Sequence, residues 1–359
     1  MIRLKSMNDT NLNERQKKLL EVLKESGAAL RQELIDKVGL KSDFSKITFI
    51  RDLNGLISKK FVKRAGKGKN TRYHLSQNNP LLTFVDLEEY FQKDQDEREI
   101  FSSFNPNIFG ELKDLYSNEE VSLWEKAQEK FKIARSRLDP SIYKRELERF
   151  VIELSWKSSQ IEGNTYTLLE TETLIKQNIQ AKGHPQEEAQ MILNHKTAFD
   201  VILEKKDSFK AIGFADVVQL RQILTKNLVT SGIRSQKVKI SGTKYQPLSE
   251  RYEIEAALRS LIKTINNLKY PPEKALVAAI MIAYLQPFAD GNKRTSRMLS
   301  NAILLAYDYF PLSYRGVDVN EYRSAMIIFY ETNNLYNFKK LFVNQLRFAL
   351  ENYFQLWTT

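Results

Sequence analysis

Two apolar, helix-like stretches meet at a short interruption around residue 288, and no other feature constrains the fold of this chain as strongly. The first stretch carries Ala278, Ile280, Met281, Ile282, Tyr284 and Leu285 and runs into Pro287-Phe288, where proline biases the preceding residue away from helical geometry. A tight loop, Asp290-Gly291-Asn292, follows. Helical spacing restarts with Lys293, Arg294 and Arg297 and continues through Met298, Leu299, Ile303 and Leu304. The pattern predicts two helices joined by a turn, the second entered through glycine and asparagine.

Such a helix start has a chemical use. Glycine and asparagine let backbone N–H groups turn toward a bound anion, and the partial positive charge of the helix start adds to the attraction. Arg294 and Arg297 are three apart, so both reach one polyphosphate from one helix face. Asp290, just before the basic cluster, is placed to hold Mg²⁺ against those phosphates. A lone Gly-Asn-Lys-Arg reads more simply as a helix start with a solvated basic face. The full string Pro-Phe-x-Asp-Gly-Asn-x-Arg-x-x-Arg is far more specific.

At these residues the chain resembles the Fic family, whose signature is His-x-Phe-x-Asp/Glu-Gly-Asn-x-Arg-x-x-Arg and whose members transfer AMP from ATP-Mg to a hydroxyl on a target protein. The resemblance implies ATP or ADP with Mg²⁺ as cofactors, Asp290 as the metal carboxylate, and Gly291, Asn292 and Lys293 as the anion cradle. Arg294 and Arg297 would hold the outer phosphates, and Phe288 would anchor the loop. Asp290, Asn292 and Arg294 would form the catalytic set with position 286. There the chain departs from the family, because Gln286 stands where the signature has histidine. A carboxamide has no usable basicity near neutral pH, so it cannot take the proton from an attacking hydroxyl. General-base catalysis supplies about a hundred- to ten-thousand-fold in rate. Binding should therefore survive better than turnover.

A second segment, Ser158-Ser159-Gln160-Ile161-Glu162-Gly163, resembles the family's inhibitory-helix pattern Ser/Thr-x-x-x-Glu-Gly/Asn. By that resemblance Ser158 and Glu162 are inhibitory, and Glu162 pairs with Arg297 where a γ-phosphate oxygen should lie. The plainer reading is a glutamate near a helix end capped by Gly163. A third segment, residues 232–247, alternates at Val238 and Ile240 and turns at Ser241-Gly242, which predicts a β-hairpin. In the family a hairpin here is the flap that clamps a target peptide by strand addition, with Val238, Lys239 and Ile240 as the docking strand. Residues 317–335 resemble the closing helix of the family core. Tyr322 and Tyr330 on it either reach adenine or pack in the core.

The net charge of +11 is concentrated at one end. Residues 1–80 hold 18 lysines and arginines against 8 acids, a net +10, while the rest hold 37 against 36. Charge confined to one segment points to a polyanionic partner there. Leu12, Leu19, Leu20, Val22 and Leu23 suggest a first helix; Leu30, Leu34, Ile35 and Val38 a second, ending at Gly39. A third opens at Ser45, with apolar positions at 47, 50, 53 and 57. Phe61 to Leu75 then reads as a hairpin with a basic tip. The whole resembles a winged helix-turn-helix, in which the third helix enters the major groove and the wing meets the backbone. That implies DNA contacts by Lys46, Thr48, Arg51, Lys63, Arg64, Lys67, Lys69 and Arg72. Winged helices also dock proteins, an alternative the local charge disfavours.

The expected fold is mainly α: a Fic-type helical core with a small hairpin flap, preceded by a winged helix-turn-helix domain. Three regions follow: 1–77 for the winged domain, 78–175 for an N-terminal Fic region with the inhibitory helix, and 176–359 for the nucleotide-binding core. Trp124, Ala127, Phe131 and Ile133 continue helical spacing in the middle region. No apolar run approaches the roughly 20 residues a bilayer requires, and the first residues lack a signal-peptide core. Zero cysteines exclude disulfides and thiol catalysis, and fit a reducing, cytoplasmic setting. The three histidines show no metal-ligand spacing. Two functions compete: a nucleotide-sensitive, DNA-binding regulator with a degenerate transfer site, and a working protein adenylyltransferase restrained by Glu162. A docking role without nucleotide would not require Asp290, Asn292, Arg294, Arg297, Ser158 and Glu162 together. Partners would be DNA and a protein target at the flap, with no membrane and with homodimerisation left open.

Overall fold

The protein is described here from a computed structural model covering residues 12–38, 46–59, 61–66, 68–76, 79–229 and 232–353. It divides into two compact units, residues 1–92 and 93–359.

In the first unit, Asn13 opens α1 (Glu14–Ser26) with a capping box: its side chain accepts from Gln16 N, and the Gln16 side chain answers its backbone N–H. Then come β1 (Ala28–Leu30), α2 (Arg31–Val38), α3 (Lys46–Ser58), β2 (Val62–Ala65), β3 (Arg72–Leu75) and α4 (Leu87–Gln92). The strands form an antiparallel sheet in the order β1-β3-β2, with Tyr73 facing Ala29 on one side and Arg64 on the other. Leu19, Leu20, Leu23, Leu34, Leu53, Leu56 and Tyr73 share its core. Residues 79–92 pack with this unit, Arg72 Nε lying 2.8 Å from Asp86 and the His74 and Phe84 rings 5.0 Å apart.

Two expectations are corrected here. Leu30 ends a strand instead of opening the second helix, because Ala28–Leu30 pairs with β3 and Glu33 caps the Leu30 N–H. On α3 the buried side is Phe49, Asp52, Leu53 and Leu56, while Ile47 and Ile50 face solvent. Asp52 turns inward because Arg15 and Asn13 meet its carboxylate at 2.6 and 3.0 Å. The expected end of the second helix at Gly39 and the expected opening of the third at Ser45 lie outside the described residues.

The second unit is almost wholly helical: α5 (Ile108–Glu111), α6 (Asn118–Arg137), α7 (Pro140–Ile161), α8 (Leu168–Gln177), α9 (Gln186–Glu204), α10 (Phe214–Leu224), α11 (Arg251–Asn267), α12 (Pro271–Leu285), α13 (Asn292–Ala306), α14 (Val319–Thr332) and α15 (Tyr336–Asn352). Every residue of α12 from Pro272 to Leu285 is buried; from Ala275 onward its sequence is apolar all round, while Glu273 accepts from Leu115 N and Lys274 donates to Ile265 O and Asn266 O. It packs most extensively on α13, and α9, α10 and α7 cover α13's other sides. Trp124, Ala127 and Phe131 are buried on α6 as their spacing suggested, whereas Ile133 is exposed. Among the described residues no helix is long and apolar enough to cross a membrane.

The hairpin expected over 232–247 does not form. Val238, Lys239 and Ile240 lie in irregular chain, and only the turn at Ser241-Gly242 and a single parallel bridge between Gln246 and Ser103 remain. The cause is local. Arg234 is buried and donates to the carbonyls of Gln286, Gln236 and Leu248, while Tyr245 is buried and donates to Tyr284 O. Both arms are thus tied to the helical core, and the link between them, from Arg234 to Leu248 O, is made by a side chain instead of by strand pairing.

Candidate functional site

The α12–α13 junction begins where α12 runs out. Gln286 is its C-cap and leaves the helix before proline, in the left-handed region (φ 50°, ψ 56°) instead of the extended range a following proline favours. Its amide is held at both ends: Nε2 donates to Ala283 O at 2.7 Å, and Oε1 accepts from Asn292 Nδ2 at 2.8 Å. Asn292 also bonds Phe288 N and Phe288 O, at 2.9 and 2.8 Å, and so closes the loop on itself. Phe288 is fully buried under the Arg221 guanidinium. Gly291 adopts φ 83°, and a Cβ there would lie 2.7 Å from Thr225 Cγ2. The position requires glycine for both reasons.

From Gly291 the chain enters α13, whose first intrahelical bond runs from Thr295 N to Gly291 O. The N–H groups of Asn292, Lys293 and Arg294 therefore have no backbone partner and point out of the helix start, where the dipole favours an anion. Asp290 is half exposed and holds Arg294 Nη2 at 2.5 Å. Arg294 is itself buried and reaches Leu224 O. This arrangement fits a polyphosphate, with a carboxylate at its edge suited to a hard divalent cation.

The second arginine of the motif is already engaged. Arg297, 1 % exposed, donates from Nη2 to Glu162 Oε1 at 2.8 Å and to Ser158 O at 2.9 Å, and from Nε to Ser158 Oγ at 2.9 Å. Glu162 is the C-cap of α7, followed by Gly163 at φ 98°, and Arg323 fixes that helix end by donating to Ile161 O. Lys293 Nζ stands 3.5 Å from the other Glu162 oxygen. Burial by itself would raise the Glu162 pKa, but Arg297, then Lys293, outweigh it and hold the carboxyl at about 2. At any ordinary pH the pair is ionised on both sides.

Several contributors were not evident in the sequence. His195 on α9 is completely buried; its Nδ1 lies 2.8 Å from Met191 O and its Nε2 2.8 Å from Ser158 Oγ. Burial, opposed by the Met191 bond and reinforced by Arg294 and Arg297, holds its pKa down at about 3. The neutral ring then donates from Nδ1 and accepts the Ser158 hydroxyl at Nε2, leaving Ser158 Oγ to accept from Arg297. A line His195–Ser158–Arg297–Glu162 results. Arg221, which donates to Asp290 O, and Thr225 complete the loop's support. A lone histidine on an apolar helix face gives no sign of such a partner. Tyr322 and Tyr330 are both buried in the core, Tyr322 beneath the Arg297 guanidinium and Tyr330 stacked with Tyr245 and Tyr284.

In the first unit Lys46, Arg51, Lys63 and Arg64 are exposed and Thr48 is half-buried. Arg72 is instead flanked by Asp86 at 2.8 Å and Glu33 at 4.0 Å, so its charge is answered within its own unit. Lys67 and the Lys69 side chain lie outside the described residues.

Residues 211–304, which contain the α12–α13 junction, match the model of the Fic/DOC family. A protein adenylyltransferase Fic from Nematostella vectensis is 28% identical over 188 residues, which take in 50% of this chain and 43% of that protein. The protein of the same name from Drosophila ananassae is 27% identical over 163 residues, 42% of this chain and 31% of that one. The chain thus spans less than half the length of these relatives. Among solved structures, Fic-1 from C. elegans superposes with a TM-score of 0.54 at 18% identity, covering 69% of this chain and 81% of that one. A Fic domain containing signaling protein from Bacteroides thetaiotaomicron gives 0.51 at 18% identity, covering 64% and 95%. At these identities the structural likeness concerns the fold.

Proposed function

We propose, starting from the Fic/DOC domain that residues 211–304 form, that this protein binds ATP or ADP with Mg²⁺ at the start of α13. In this reading it transfers AMP poorly or not at all, and it couples that site to a DNA-binding first unit. The observation that carries the reading is Gln286: its carboxamide, bonded at both ends to Ala283 and Asn292, occupies the place where a transferase needs a base. An amide tied in this way orients the loop but takes no proton.

The other residues support binding. The N–H groups of residues 292–294 would receive phosphate oxygens, Arg294 would neutralise them, and Asp290 would hold Mg²⁺, which when bound screens the phosphate charge. Glu162 occupies Arg297 at 2.8 Å and so competes with an outer phosphate for the same guanidinium. The first unit supports a winged helix-turn-helix by its order helix–strand–helix–helix–strand–strand, its three-stranded antiparallel sheet, and the exposed Lys46, Arg51, Lys63 and Arg64.

The names of the curated relatives favour a second reading, an active adenylyltransferase restrained by Glu162. Labelled ATP with Mg²⁺ separates the two. Wild type, Glu162→Gly, Gln286→His and the double variant are compared for nucleotide binding and for label transferred to protein. The degenerate site predicts binding throughout, with transfer only where histidine is restored and most in the double variant. Robust transfer by Glu162→Gly with Gln286 intact selects the active enzyme instead.

A further inference from the structure

We infer that the solvent face of α3 reads thymine methyl groups in the major groove of duplex DNA, an inference that rests on the DNA-binding reading of the first unit. Helix α3 buries Phe49, Asp52, Leu53 and Leu56. Its opposite side carries Ile47, Ile50, Arg51 and Asn54, all exposed and all within an arc of about 100° at helical spacing. Ile47 is 78% exposed and Ile50 38%.

A single exposed isoleucine on a protein surface requires no explanation. Two, less than a turn apart and flanked by Arg51 and Asn54, form a patch with a chemistry of its own. The major groove offers one apolar group, the C5 methyl of thymine, and asparagine pairs bidentately with adenine N6 and N7. The two isoleucines and Asn54 therefore favour T·A pairs on both strands. Arg51 and Lys46 on the same helix, with Lys63 and Arg64 exposed on β2, supply cations for the flanking phosphates. Charge also selects the occupant. Residues 1–80 carry 18 basic against 8 acidic side chains, so a second copy of the chain docking through this segment would set net +10 against net +10, whereas a polyanion is attracted.

The test uses the full chain and a pool of short random-sequence DNA duplexes. Repeated selection should enrich sites with clustered T·A pairs. In the selected duplex, replacing thymine by deoxyuridine removes methyls and no hydrogen-bonding group. Affinity should fall about four-fold for each contacted methyl, by the value of one buried methylene-sized group. The variant Ile47→Ala with Ile50→Ala should bind the thymine duplex that much more weakly and no longer distinguish it from the deoxyuridine one. Thermal unfolding should be unchanged, since neither side chain is in the core. Binding that ignores the thymine methyls, in wild type or in selection, overturns the inference while leaving DNA binding intact. No salt-dependent binding to any duplex overturns both. An altered sedimentation coefficient in the isoleucine variant, with DNA affinity unchanged, would assign the patch to self-association instead.

Discussion

His195 illustrates how much one buried side chain can determine. It is held neutral, at about 3 against its ordinary 6.5, by burial and by the arginines beside it. Because the folded value lies below the unfolded one, the stability this group contributes is complete above about pH 6.5 and is lost as pH falls toward 3. From pH 6.5 to about 4.5 the loss is on the order of 2 kcal/mol, as the unfolded ring goes from half to fully protonated while the folded ring stays neutral. Urea denaturation across that interval should show it. His195→Gln should be less stable at neutral pH, through its misfit with Ser158 and Met191, yet its stability should fall with acid by about one proton less. An unchanged slope would mean that the ring is already protonated in the fold. Glu162 acts in a lower window. Its carboxyl, at about 2 against 4.5, keeps its pairing with Arg297 above about pH 4.5 and loses it only as pH falls through 2. As pH falls, the contribution of His195 thus starts to decline before that of the Glu162 carboxylate, whose unfolded value is the lower of the two.

At the scale of elements, the working part is a joint. Helix α12 is buried on every side and apolar from Ala275 onward, α13 is buried almost throughout, and the loop between them is closed by Asn292, Phe288 and Gly291. Gly291→Ala tests whether that joint is as tight as its geometry indicates. The left-handed backbone costs about 1–2 kcal/mol for a residue with a Cβ, and overpacking against Thr225 adds about 1–3 kcal/mol. Removing the Thr225 Cγ2 methyl with Thr225→Ser keeps its hydroxyl bond to Arg221 O and should recover the packing part but not the backbone part. Equal destabilisation of Gly291→Ala with and without Thr225→Ser would show that the contact is relieved elsewhere. The flap teaches the opposite lesson. Alternation at Val238 and Ile240 satisfies the strand pattern, yet a hairpin needs a partner arm, and Arg234 and Tyr245 tie both arms to the core.

For the whole molecule, the uneven charge is the measurable property. If the first unit binds duplex DNA, affinity should fall steeply with salt, since released counterions drive it. Lys63→Ala with Arg64→Ala, both exposed on β2, should reduce the slope of log affinity against log salt by about one for each lost phosphate contact. Weakening without a change of slope would place those residues away from the phosphates. Arg72→Ala should leave the slope alone, because Asp86 and Glu33 already answer its charge.

The sequence by itself determined what is local. The helix–turn–helix junction, the break in the helix before Pro287, the glycine at 291 and the helices on either side of that turn are set by spacing and backbone chemistry within a few residues. Ser158 and Glu162 were legible through a motif, and their distance from Arg297 in sequence was no obstacle to it. Long-range packing decided the rest. It alone made His195 and Arg221 part of the site, because each meets partners tens of positions away. It turned Asp52 inward and Ile47 outward on α3, because a buried aspartate with two polar partners can displace an isoleucine from the stripe. Periodicity records which residues are apolar. Which of them are buried depends on what the tertiary fold brings against each face.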